Sequence, residues 1–148
     1  MNPLRTAMPA IVAHEGEWDG TYRHIAADGT LLDEHRARTS CLFPDDGEDH
    51  YIQHSRLSWA GGRQEEYRFG GRLRDGLLRW ETERFHGHGW ETNDGVLMLR
   101  LERRDVPGAY YIEMITLAPD GQSRARTWQW FRDGRPWKRT LCDERRIG

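Results

Sequence analysis

Long apolar runs are missing from this chain, and no stretch approaches the roughly 20 residues that a membrane-spanning helix needs. The N-terminal MNPLRTAMPAIVAHEG has one early Arg and an apolar stretch broken by Pro9 and His14, so it lacks the continuous core of a secretory signal. We therefore expect a soluble, cytoplasmic protein with no membrane partner. An excess of either charge is missing too. Lys plus Arg is 22 against 24 for Asp plus Glu, a formal net charge of −2, and the signs alternate finely along the chain. That pattern offers no basic field to nucleic acid. Only two cysteines occur, Cys41 and Cys142, far apart and in no metal-type spacing, and they read as reduced thiols in strands. Gly-x-Ser-x-Gly, a phosphate loop, a dinucleotide fingerprint, paired Cys-x-x-Cys and His-Glu-x-x-His are all absent, so whole classes of cofactor enzyme lose support. No cofactor is expected.

Aliphatic residues are also scarce. Hydrophobic residues make up 36% of the chain, yet it holds seven Trp, five Tyr and four Phe, so the apolar content sits in a few large rings. A one-layer barrel, needing one apolar face per strand, suits that supply better than a thick two-layer core.

Turn signals recur with unusual regularity: ADGT at 27–30, DDGE at 45–48, AGGR at 60–63, RDGL at 74–77, NDGV at 93–96, VPGA at 106–109, PDGQ at 119–122 and RDGR at 132–135. Asp-Gly and Gly-Gly supply the positive φ of tight hairpins. The segments between them alternate with period two, as in Tyr110, Ile112, Met114 and Thr116 opposite Tyr111, Glu113, Ile115 and Leu117. The long 77–92 segment contains HGHGW at 86–90, whose glycines would bend or split it. Nine or ten antiparallel strands in chain order form a meander, and a meander this long loses its exposed edges by closing. The expected fold is an all-β, up-and-down antiparallel barrel at 16–146, within one domain spanning 1–148. Residues 1–15 form its cap, with a short helical plug at 8–15.

At the head of the first strand Gly16-Glu17-Trp18 gives a Gly-x-Trp, which resembles the lipocalin and fatty-acid-binding (calycin) superfamily. The wider stretches GEWDGTYRHIAADGTLLDEH and RTWQWFRDGRPWKRTL are similar to a family of small, mostly uncharacterised bacterial calycin-like domains. The resemblance implies that Trp18 plugs the closed end and that an arginine of the last strand packs over its ring, with Arg139 the best match and Arg145 second. It also implies that the first strand is an inner wall, with Tyr22 and His24 sharing the inward parity of Trp18.

Several side chains suit chemistry inside such a barrel. Tyr22 and His24 can bind a ligand carbonyl or move a proton. On DEHRARTSC, Glu34, Arg36 and Arg38 belong in solvent, leaving Asp33, His35, Ala37, Thr39 and Cys41 inside. On SRARTWQWF, Arg124, Arg126, Trp128 and Trp130 share a face, either an inner one able to hold a carboxylate or an outer ladder of charges and indoles. Glu113 is either a buried acid suited to proton transfer or solvent-facing. His86 and His88 share a face but lack an evident third ligand, so no metal is expected. Glu65 and Glu66 point to opposite faces and form no facing dyad.

Two functions fit. In the first, an aromatic cavity binds a small apolar or aromatic molecule through Tyr22, His24, His35, Arg126, Trp128 and Trp130. In the second, the same cavity is a cofactor-free lyase, isomerase or cyclase in which His24, His35, Tyr22 and Glu113 transfer protons. An exposed tryptophan-rich face would instead support a homodimer.

Overall fold

One glycine in each of the eight expected turns adopts positive φ in the computed structural model, which describes residues 1–148. Gly76 (75°) and Gly134 (78°) follow Asp75 (54°) and Asp133 (51°), so two successive residues sit in the left-handed region. Paired positive φ values give a turn whose twist matches that of the strands it joins. The turns delimit β1 (Gly16–Ala26), β2 (Leu31–Leu42), β3 (Tyr51–Ser58), β4 (Gln64–Arg74), β5 (Leu77–Glu81), β6 (Phe85–Glu91), β7 (Leu97–Arg103), β8 (Ala109–Leu117), β9 (Ser123–Arg132) and β10 (Arg135–Arg146). Each strand pairs antiparallel with the next, and β1 pairs with β10 to close a ten-stranded barrel.

The ninth reversal carries no Asp-Gly or Gly-Gly, and it falls at 82–84 rather than at HGHGW. Thr82 makes this turn with its side chain. Its Oγ1 accepts from the Arg84 and Phe85 amides at 3.2 and 3.0 Å and donates to the Phe85 carbonyl at 3.0 Å. Gly87 and Gly89 lie inside β6, where an added Cβ would approach Leu101 Cα at 2.8 Å and the Trp80 ring at 3.0 Å. These glycines make room for core side chains, and His86 and His88 project to the other face.

Two short helices, α1 (Leu4–Ala7) and α2 (Pro9–Val12), precede the barrel. The helix expected over 8–15 is thus shorter, and a second one stands before it. Buried Asn2 ties this segment down: its Nδ2 donates to the carbonyls of Pro44 (2.8 Å) and His50 (2.7 Å), and its Oδ1 accepts from the Leu4 amide. Leu4, Met8 and Ile11 then join Trp18, Phe43, Tyr51 and Trp80 in the main apolar cluster, closing one end of the barrel.

Trp18 is fully buried and donates its indole N–H to the His14 carbonyl at 3.0 Å. Two guanidiniums stack against its ring, Arg124 at 4.6 Å and Arg146 at 4.4 Å from the centroid. The arginine over the plug is therefore neither Arg139 nor Arg145, and the reason is parity. β10 pairs Trp18 with Arg146 and Tyr22 with Cys142, so its even-numbered residues face inward. Arg139 lies opposite Ile25, near the other end of β1, and both Arg139 and Arg145 are exposed. Arg146 also donates to the carbonyls of Ala13 (2.9 Å), Glu15 and Gly121 (2.9 Å), binding the cap to the closing strand.

Gly20 sits on the inward face between Trp18 and Tyr22. A Cβ there would stand 2.5 Å from Glu144 Cγ and 2.6 Å from the Asp143 carbonyl oxygen. Glu144 is pinned by Arg124 and cannot retreat. Gly20→Ala is expected to lower the urea midpoint with an unchanged slope, at a cost of about 1–3 kcal/mol. A wild-type midpoint would show that β10 yields more readily than this packing implies.

Candidate functional site

The register of β9 with β10 sets Arg124 opposite Glu144, Arg126 opposite Cys142 and Trp128 opposite Thr140. Since β10 directs its even-numbered residues inward, these three β9 side chains also enter the barrel, and all three are buried. Near the closed end Arg124 Nε donates to Glu144 Oε1 at 2.7 Å. One step higher, Arg126 Nε donates to Glu113 Oε2 and its Nη1 to Tyr22 Oη, both at 2.8 Å. Arg126 Nη1 also lies 3.7 Å from Glu144 Oε1, which joins the two pairs into one network. Glu113 is thus buried and ion-paired.

Burial alone would draw the Arg126 pKa down, but Glu113, Tyr22 and Glu144 outweigh it and the guanidinium stays charged. Burial likewise tends to raise Glu144, and the two arginines outweigh it, holding the carboxylate below its ordinary range. Tyr22 moves the other way: burial lifts its phenol well above the usual value despite Arg126, so it remains protonated.

An inner cavity of about 170 Å³ lies against this network, lined mainly by rings and aliphatic side chains such as Tyr51, Phe69, Trp80 and Leu99. The indole N–H groups of Trp80 and Trp128, both in its wall, have no hydrogen-bond partner although they are buried. At the other end the barrel opens into a mouth of about 420 Å³. Tyr22, Leu57, Tyr67, Tyr111 and Trp128 line both spaces. Rings run continuously from rim to interior: Trp59 to His35 (4.7 Å between centroids), His35 to Tyr22 (5.0 Å), Tyr22 to Trp128 (5.4 Å), Trp128 to Tyr111 (5.9 Å) and Tyr111 to Trp130 (4.6 Å).

The two imidazoles meet at the mouth. His24 Nε2 and His35 Nε2 are 3.1 Å apart, His24 Nδ1 is 2.8 Å from Thr140 Oγ1, and His35 Nδ1 is 3.3 Å from the Arg36 carbonyl. A carbonyl only accepts, so the His35 proton is on Nδ1. His24 then donates from Nε2 and accepts at Nδ1 from the Thr140 hydroxyl, which itself accepts from Trp130 Nε1 at 2.9 Å. Burial first, and then His35 and Lys138, lower His24 to about 4; burial lowers His35 as well. Both rings are neutral near pH 7.

Tyr22, Glu113, Arg126 and Trp128 thus line the inner cavity, and His24, His35 and Trp130 line the adjoining mouth together with Tyr22 and Trp128. His86 and His88 are elsewhere: His86 lies 3.2 Å from Glu102, and His88 stacks on Trp90.

The fold of this barrel has counterparts among solved structures. The chain has a TM-score of 0.75 to the S-type phycobiliprotein lyase of Guillardia theta, at 16% identity over 93% of this chain and 90% of that one. It has a TM-score of 0.69 to a protein of unknown function of the DUF3598 family from Nostoc punctiforme, at 18% identity over 93% of this chain. The fold is calycin-like. The chain spans about half (49%) of the length of the Nostoc protein. No protein-family model and no curated protein matches the sequence. No helix of this calycin-like barrel is long and apolar enough to cross a membrane.

Glu144, Trp59 and His14 complete the site without a local sequence signal. Glu144 stands in a charged run, DERR, and only the register separates it from its exposed neighbours. Trp59 ends β3 and donates to Asp33 Oδ1 and Oδ2 at 3.1 and 3.0 Å. Inward parity for Asp33 was legible from DEHRARTSC, while its indole partner was not.

His14 is buried at the closed end with Nδ1 3.3 Å from Arg124 Nη1. Guanidinium only donates, so Nδ1 must keep its lone pair, and burial followed by the charge of Arg124 lowers the imidazole to about 3. Because its folded pKa lies below the ordinary 6.5, the unfolded chain takes up a proton that the folded one refuses. Stability should fall as pH drops from about 6.5 toward 3, by up to about 5 kcal/mol from this ring. His24 and His35 act with the same sign, so His14→Gln should flatten the decline without abolishing it. Urea unfolding at a series of pH values measures this, and wild-type stability that stays level between pH 6.5 and 4.5 would refute it.

Proposed function

We propose that the barrel is a binding protein for one small, largely aromatic molecule, seated with a ring in the inner chamber and a polar portion in the mouth. The observation that carries this reading is the junction at Trp128. Its indole N–H is buried without a partner where the inner chamber of about 170 Å³ adjoins the mouth of about 420 Å³. An engineered apolar cavity of about 150 Å³ admits benzene, so the chamber suits one ring. A carbonyl or other acceptor on the ligand would satisfy the indole, and removing the ring from water would supply most of the affinity. Tyr22 and Arg126 lie behind the junction as further donors, with His24 and His35 at the rim as polar contacts. The kinship this reading favours is with lipocalins and fatty-acid-binding proteins, and more narrowly with small bacterial calycin-like domains.

The alternative is a cofactor-free lyase, isomerase or cyclase. In its favour stands the relay from Thr140 through His24 to His35, anchored by the Trp130 N–H, a chain along which a proton can move at the edge of the cavity. A phycobiliprotein lyase shares the fold. Against it, Glu113 is occupied by Arg126 and Tyr22 holds its proton tightly, which leaves His24 and His35 as the acid–base groups.

Isothermal calorimetry with a panel of aromatic carboxylates, polycyclic aromatics and terpenoids tests the binding reading. At least one class should bind with one-to-one stoichiometry. Leu57→Trp, which narrows the junction, should weaken that binding at least about tenfold, or roughly 1.4 kcal/mol, while far-ultraviolet circular dichroism stays the same. No heat from any class would end the proposal. Recovery of a chemically altered compound, with the change lost in His24→Gln, would transfer support to the enzyme.

A further inference from the structure

At the rim of the barrel, the ligand-capable atoms of His24, His35 and Asp33 all lie within 4.8 Å of one another. We propose that His24 Nε2, His35 Nε2 and the Asp33 carboxylate bind a divalent transition metal of the zinc class, with a further coordination position facing the mouth. Two imidazoles and one carboxylate form a donor set that suits such a metal, and three protein ligands with one open position is the pattern of sites that admit water or substrate.

The spacing supports this assignment. Two nitrogens on one tetrahedral zinc, each at about 2.05 Å, stand about 3.3 Å apart. His24 Nε2 and His35 Nε2 are already 3.1 Å apart. A carboxylate oxygen of Asp33 lies within 4.8 Å of a nitrogen on each ring, so a side-chain rotation of Asp33 is the adjustment the site requires.

Each ligand is also held from behind, as metal-binding side chains usually are. His35 Nδ1 donates to the Arg36 carbonyl, His24 Nδ1 faces Thr140 Oγ1, and Trp59 Nε1 donates to the Asp33 carboxylate. Lys138 forms no ion pair with Asp33; its ammonium stands over the rings of Trp130 and Trp137 at 4.7 and 4.3 Å.

The His24–His35 hydrogen bond explains the imidazole pair without an ion, and the two states differ in the position of one proton. In the hydrogen-bonded pair, His24 carries its proton on Nε2. Metal binding requires that nitrogen bare, so the proton moves through solvent to Nδ1 and the Thr140 oxygen accepts it. Each ring stays neutral throughout. The position of the His24 proton therefore reports on the metal, independently of any ligand in the cavity.

The experiment uses the full chain without an affinity tag, stripped with chelator and titrated with Co²⁺, then with Zn²⁺ in competition. The visible d–d bands of four- or five-coordinate cobalt should saturate at one equivalent, and zinc should abolish them. Imidazole ¹⁵N spectra of the wild-type protein at saturating zinc should show the His24 proton on Nδ1. His35→Gln and Asp33→Asn should each weaken binding at least about 100-fold, and Thr140→Val about tenfold. His86→Gln, at the separate His86–Glu102 pair, should leave affinity unchanged. Three results would each overturn the site: no saturable cobalt spectrum, a His24 proton that stays on Nε2 at saturating zinc, or affinity that survives His35→Gln and falls with His86→Gln.

Discussion

Two arginines and two glutamates are buried together in the lumen, and most other features of the interior follow from keeping their charges matched. Moving an isolated ion out of water costs several kcal/mol even after a protein relaxes around it, and an opposite charge recovers that cost only with good geometry. Arg124 with Glu144 and Arg126 with Glu113 meet this condition at 2.7 and 2.8 Å. The remaining donors of the guanidiniums then constrain their neighbours. Arg126 fixes the Tyr22 oxygen as an acceptor, and Arg124 requires a bare nitrogen on His14. Gly20 belongs to the same constraint, because a side chain there would displace Glu144. Well-packed apolar residues often stabilise a fold as much as a buried ion pair does. A network that strands four charges inside a thin barrel is better understood as shaping the floor of a cavity than as adding stability.

The scarcity of aliphatic residues makes sense in the same terms. A barrel wall has one inward face, and large rings cover it with few residues while leaving a space between them. Here the rings line up in contact from Trp59 at the rim to Trp128 inside. Main-chain ladders hold these side chains in place, so under the proposed binding role much of the ordering would be complete before a flat molecule arrived.

The closed barrel and its turns were legible in the sequence because turn chemistry is local. An Asp-Gly or Gly-Gly announces positive φ whatever surrounds it, and all seven such turns form, as does the Pro-Gly turn at 106–109. The turn at 82–84 was not legible, because a threonine hydroxyl closes it and threonine is equally at home in a strand. Strand parity carried much of the site as well. Once the calycin resemblance sets Trp18 inward, counting along β1 places Tyr22, and on β2 the cost of burying two arginines places His35 with Asp33. Counting fails where the starting phase is unknown. On β10 the register with β1 decides which arginine meets Trp18, and a one-residue error exchanges Arg146 for the exposed Arg145. Glu144 was hidden for the same reason: in DERR nothing but phase separates a buried carboxylate from a solvated one.

The two ends of the barrel handle polar groups in opposite ways. Near the closed end they are charged and mutually neutralised, and the first partner that Arg126 and Glu113 find is each other. A ligand that tried to displace Glu113 from Arg126 would leave a bare carboxylate in a low-dielectric space, so exchange of one anion for another there is unfavourable unless Glu113 takes up a proton. Around the mouth the histidines are uncharged, lie beside solvent, and hold their relay through single hydrogen bonds that can be remade at little cost. Chemical change or exchange of partners is therefore favoured at the rim, while the floor supplies a fixed field and a fixed shape. Trp128 stands between these regimes, with its ring in the aromatic series, the Arg126 guanidinium 4.8 Å from its centroid, and its N–H unengaged. Like the Trp80 N–H in the same wall, it is a neutral polar group that an uncharged molecule can satisfy without disturbing the charge balance beneath it.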